Sequence, residues 1–127
     1  MILLDSVTFL WIVNGSKKLS RRAKSIYLNR DKKVYLSSVS VWEMTVKYKL
    51  GRLPLPSIPS EYIPRQRILH GIEALTLEES DIFELESLPF IHNDPFDRML
   101  ICQAKRRNLT ILTPDTIFKK YSVLTQW

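Results

Sequence analysis

The sequence predicts an α/β domain: a central, mostly parallel sheet with helices on both faces. Three observations lead there. Ile2-Leu3-Leu4, Val34-Tyr35-Leu36 and Leu109-Thr110-Ile111-Leu112 are short apolar runs, the pattern of strands covered on both sides. Stretches with apolar residues at helical spacing separate them, so strand and helix alternate along the chain. Asp5 and Asp115 stand just past the first and last of these runs. In parallel sheets the ligand crevice lies beyond the carboxyl ends of the strands.

Each element has its own signal. Ser6 to Val13 reads as a helix that breaks at Asn14-Gly15, and Leu19 to Asn29 as a second, with Arg21, Arg22 and Lys24 outward. After the strand at Val34, a third helix opens at Ser40-Val41-Trp42-Glu43 and closes at Gly51. Leu53-Pro54-Leu55-Pro56 to Pro59 is a proline-stiffened crossing, followed by a helix over 60–70 and a strand over Ile72 to Leu75. Thr76-Leu77-Glu78-Glu79 has the spacing of a capping box for an acidic helix reaching Ser87. Asp94-Pro95 starts the next helix, because Asp caps free N–H groups and Pro fits the first helical position. The strand Leu109 to Leu112, a short helix with Phe118 and Tyr121, and an edge strand at Val123-Leu124 complete the chain.

Bulk properties narrow the class. The 127 residues suffice for one domain over 1–127. Cys102, the single cysteine, excludes a disulfide framework and a cysteine zinc site. Met1 to Val13 lacks a basic lead-in, contains Asp5 and offers no cleavage site, so a cytoplasmic protein without a membrane span is expected. The net charge of +6 is unevenly placed: residues 1–70 carry 13 Lys/Arg against 4 acids, and residues 71–97 carry 8 acids and no Lys or Arg. Such segregation fits either a polyanionic partner or a solvated basic face.

Five acids fall where this topology would build a crevice. Each has a local alternative: Asp5, Asp94 and Asp115 as caps, Glu43 as the partner of Ser40 in a capping box, and Asp97 as a first-turn acid favouring the helix dipole. Asp94 is expected to cap its helix and face away from the cluster. Carboxylates crowded together need counter-charge, and Mg²⁺ or Mn²⁺, hard cations that prefer oxygen, would supply it.

These residues, in this order, resemble a known family. Leu3-Leu4-Asp5-Ser6, Ser40-Val41-Trp42-Glu43-Met44, Gly51-Arg52-Leu53-Pro54-Leu55, His92-Asn93-Asp94-Pro95-Phe96-Asp97-Arg98 and Thr113-Pro114-Asp115 are similar to the PIN-domain nucleases, and among them to the VapC toxins of type II toxin–antitoxin modules. The resemblance covers nearly the whole chain and implies a PIN-like three-layer fold. It places the acidic catalytic and metal-holding set on Asp5, Glu43, Asp97 and Asp115. Ser6 stands where threonine is usual and is expected to support Asp5 or a metal-bound water, and Thr113 matches the hydroxyl beside the last acid. Val7 and Asn93 depart from the usual histidine and arginine, which bears on substrate preference.

The resemblance further implies Mg²⁺- or Mn²⁺-dependent hydrolysis of RNA, a cognate small antitoxin and a homodimer. Arg98 is expected either to contact the substrate phosphate or to hold a carboxylate, while His70 and His92 are expected to be structural. The rival reading is a catalytically silent PIN-like RNA-binding module. A phosphatase is disfavoured because Ser6-Val7 follows Asp5, and a receiver domain because Leu36-Ser37-Ser38 offers no acceptor aspartate.

Overall fold

Alternation along three short strands sorts the core into two layers. The computed structural model describes residues 1–127. In β1 (Ile2–Leu4) the side chains of Ile2 and Leu4 enter one core, and Leu3 enters the other. β2 (Val34–Ser37) repeats this, with Val34 and Leu36 on the first side and Tyr35 on the second. In β4 (Thr110–Leu112) Ile111 and Leu112 part in the same way.

The first layer is filled by Phe9 and Ile12 of α1 (Ser6–Asn14), Ala23 of α2 (Arg21–Leu28), and Tyr62 and Ile63 of α4 (Pro59–Leu69). Leu100, Ile101, Cys102 and Ala104 of α6 (Pro95–Arg107) fill the second, with Val39 of α3 (Ser38–Lys49). α5 (Glu79–Phe83) and two short 3-10 turns, Glu84–Glu86 and Thr116–Lys120, complete the helical elements.

The five strands are all parallel, in the order β3-β2-β1-β4-β5, with β3 (Glu73–Leu75) and β5 (Leu124–Gln126) at the edges. Leu4 is level with Leu36 on one side and Leu112 on the other. The chain leaves β1 for β2 in one direction and reaches β4 in the other. β1 is therefore the switch point, and a crevice opens beyond its carboxyl end.

Two helix starts differ from expectation. α3 begins at Ser38, with the Ser37 hydroxyl accepting the Val39 N–H (3.0 Å), so Ser40 is a buried interior residue. That removes the capping-box role for Glu43. The box expected at Thr76 forms two residues on, where Asp81 accepts the Glu78 N–H (2.9 Å), and the acidic helix shortens to α5 and a 3-10 turn. Pro64 lies inside α4, which starts at Pro59 and forgoes the hydrogen bond an N–H at 64 would make. No helix is long and apolar enough to cross a membrane.

Candidate active site

The end of β1 sets the geometry. Because β1 and β4 are in register, the residues that follow them meet, and the Thr113 hydroxyl donates to Asp5 Oδ2 at 2.5 Å. The other oxygen of Asp5 accepts the Thr8 N–H (2.8 Å), so Asp5 caps α1 as well. Thr113 Oγ1 in turn accepts the Asp115 N–H (3.0 Å), and Asp115, exposed, caps the 3-10 turn through Ile117. From β2 the chain enters α3, which presents Glu43 to the same place. Glu43 Oε1 accepts from Ser6 Oγ (2.6 Å) and Oε2 pairs with Lys47 (2.7 Å). Ser6 therefore supports Glu43, and Asp5 takes its hydroxyl support from Thr113.

Asp97 comes from the first turn of α6. Asp94 caps that helix, accepting from Phe96 N (2.8 Å) and Asp97 N (3.1 Å). Asp5, Glu43, Asp97 and Asp115 all line one cleft of about 370 Å³, together with Ser6, Lys47 and Arg52. Asp94 lines it too, so the expectation that it faces away is corrected: a cap one turn below Asp97 shares its side of the helix. Five acids against two bases make the cleft strongly anionic.

Burial first, and crowding second, act on these carboxylates. Asp5 is almost fully buried, and burial raises its pKa against the opposing bonds from Thr113 and Thr8. Burial likewise pushes Asp97 up to about 6; Asp94 and Glu43 add to the rise, and the bond from His92 opposes it. Lys47 is raised by its bond to Glu43.

Oxygen donors of this kind, with too few cations to balance them, suit a hard divalent cation. Three ligand atoms come within 4.8 Å of one another only at His92, Asp94 and Asp97. Asp5, Glu43 and Asp115 share the cleft but not that group, each held by the hydroxyl, ammonium or backbone partners just described.

Two sequence expectations change here. Arg98 does not reach the cleft. It is buried, and its Nη1 donates to the carbonyls of Pro89 (3.0 Å) and His92 (3.4 Å), so backbone carbonyls and not a carboxylate are its partners. Helical geometry turns position 98 about 100° away from Asp97. His92, expected to be structural, places Nε2 2.9 Å from Asp97 Oδ2. His70 is structural, with Nδ1 2.9 Å from the Gln66 carbonyl. Lys47 went unassigned, although its i,i+4 spacing from Glu43 was a usable signal.

A family model described as PIN domain matches residues 2–124. No curated protein matches the sequence. Among solved structures, VapBC2 from Rickettsia felis bound to a promoter DNA fragment superposes with a TM-score of 0.70 at 14% identity, covering 99% of this chain and 98% of that one. DNA-bound VapBC from Salmonella typhimurium gives 0.67 at 15%, covering 98% and 96%. FitAcB from Neisseria gonorrhoeae gives 0.61 at 21%, also covering 98% and 96%. At these identities the likeness is one of fold.

Proposed function

The chain belongs to the PIN-domain family, and from that premise we propose that residues 1–127 form one metal-dependent endoribonuclease domain, the toxin of a toxin–antitoxin pair. The observation that supports it most is the cleft at the end of β1, where Asp5, Glu43, Asp97 and Asp115 arrive from four separate segments. Capping explains Asp5 and Asp115 singly. It does not explain Glu43 or Asp97, nor why all four share one wall.

Bound there, Mg²⁺ or Mn²⁺ would supply a nucleophile at neutral pH and offset charge on the phosphate. Asp97 and Asp5 would hold it, with Glu43 and Asp115 beside them in the same cleft. Thr113 keeps Asp5 oriented and favours its ionised form, and Ser6 and Lys47 fix Glu43. Lys47 and Arg52, the two bases on the cleft wall, would receive the RNA phosphates.

The solved neighbours are toxin–antitoxin complexes. By analogy, this chain would pair with a small antitoxin in the cytoplasm. Exposed Trp42, Ile82 and Phe90 line one apolar hollow, which would offer a second copy a surface on which to form a homodimer.

Incubation of the purified protein with mixed RNA tests the activity. Cleavage with Mg²⁺ or Mn²⁺ that stops with EDTA is expected. RNA binding with no cleavage under any metal would establish the silent binding module instead.

A further inference from the structure

Residues 89–92 have no regular secondary structure, yet two buried side chains hold them at four backbone groups. Arg98 Nη1 donates to the carbonyls of Pro89 and His92, at 3.0 and 3.4 Å. Tyr121 Oη accepts the N–H groups of Ile91 and His92, at 3.2 and 2.8 Å. A 3.3 Å bond from Arg98 to Tyr121 joins the two, and the guanidinium lies 4.5 Å from the centre of the Phe90 ring. A buried guanidinium with no carboxylate partner is costly unless its N–H groups are used. Here they fix one short segment.

The imidazole of His92 is what that segment sends towards the cleft. The backbone of His92 is held at both its N–H and its C=O, and Nε2 meets Asp97 Oδ2 at 2.9 Å. Asp97 Oδ1 takes no hydrogen bond. In the ionised state that a cation requires, the carboxylate only accepts, so the imidazole is then the donor in this bond. A nitrogen that donates its proton to Asp97 cannot at the same time ligate a cation. Its closeness to Asp94 and Asp97 therefore describes an outer partner of the carboxylate.

We propose that His92, clasped by Arg98 and Tyr121, is a positioning residue that holds Oδ2 of Asp97 and leaves Oδ1 to a divalent cation. The inference rests on the nuclease reading, in which Asp97 is a ligand. It also gives Arg98 a role in the site without contact with substrate.

The test uses the full chain and Mn²⁺ alone. Calorimetry on wild type, His92→Ala, His92→Gln and Tyr121→Phe measures affinity, and pulsed EPR of the bound Mn²⁺ detects directly coordinated nitrogen. Loss of an outer partner typically weakens metal binding about 10- to 100-fold. His92→Ala should fall in that range, His92→Gln should recover most of the affinity through its amide N–H, and no coordinated nitrogen should appear. Tyr121→Phe should weaken binding with His92 still present. Wild-type affinity in His92→Ala overturns the inference while leaving the nuclease reading intact, and a nitrogen bonded to Mn²⁺ overturns it in favour of direct ligation. Wild-type affinity in Tyr121→Phe removes the clasp. A wild-type chain that binds no Mn²⁺ overturns both readings.

Discussion

At Asp97, a carboxylate that the fold favours protonated stands where the proposed chemistry needs it ionised. Its folded pKa of about 6 lies above the ordinary 3.8. An acid raised in this way binds its proton more readily folded than unfolded. Its effect on stability is therefore absent below about pH 4 and becomes a cost, on the order of 2 kcal/mol, above about pH 6. Asp97→Asn should accordingly be more stable than wild type at pH 7.5 in EDTA and should match it near pH 4. Denaturant melts across that range would show this, while metal-dependent cleavage by the variant collapses. A loss of roughly 0.3–1 kcal/mol at pH 7.5, with cleavage intact, would return Asp97 to a helix-dipole role. Asp94→Asn keeps its cap, since Asn caps about as well as Asp, but removes a charge that helps to raise Asp97, so at pH 7.5 its melts should lie between those of wild type and Asp97→Asn. Thr113→Val removes the hydroxyl on Asp5 Oδ2, and burial then raises that carboxyl further. Its cleavage rate should drop most at the acid end of the pH profile and recover in part as pH rises, whereas a pH-independent loss would mean that Thr113 acts otherwise.

Among the elements, the packing of α5 on α6 depends on one residue. Asp81 is fully buried and accepts from Arg106 Nε (2.6 Å), Arg107 Nη2 (2.9 Å) and Gln103 Nε2 (3.3 Å). Although burial works the other way, these bonds hold its carboxyl well below the usual range. A depressed acid contributes stability that is complete above about pH 4 and is lost as pH falls through the folded value. It therefore does not blur the Asp97 titration. Asp81→Ala should cost about 3 kcal/mol, because it empties a buried site and leaves the two arginines only Glu78 and the Thr76 carbonyl; a loss below about 1 kcal/mol would show that these partners and solvent serve the arginines equally well.

The elements also show what the sequence could and could not reveal. Strand positions and the four principal acids were legible because continuous apolar runs and the Asp-Pro start leave few alternatives. Helix starts were less so: Ser37, Ser38 and Ser40 can all cap, and the end of β2 selects Ser37. Partners were least legible. Arg98 and His92 take their roles from residue 121 and from a segment without periodicity, and Ser6 turned to Glu43 because Thr113 had already taken Asp5.

Over the whole molecule, charge and fold separate two places where basic side chains gather. Lys47 and Arg52 border the acidic cleft, whereas Lys17, Arg21 and Lys24 surround a cavity of about 590 Å³ with Trp11 and Tyr27 at the end of α1 and start of α2. If both surfaces meet RNA, affinity falls steeply with salt. Arg21→Glu and Lys24→Glu, both exposed, should leave stability within about 0.5 kcal/mol and lower the salt slope by about 0.7 for each phosphate no longer neutralised. An unchanged slope would confine RNA to the cleft.

The bond from Thr113 to Asp5 spans 108 positions. During synthesis at about 5–20 residues per second, Asp5 is made roughly ten seconds before its partner exists. Throughout that interval β1 lacks the neighbour that closes the sheet on its second side, and the cleft has no Asp115. If the chain is the nuclease proposed above, its nascent form would be harmless to the RNA that surrounds the ribosome making it. The activity would arrive all at once, when β4 slots beside β1, and an inhibitory partner would have until then to be ready for it.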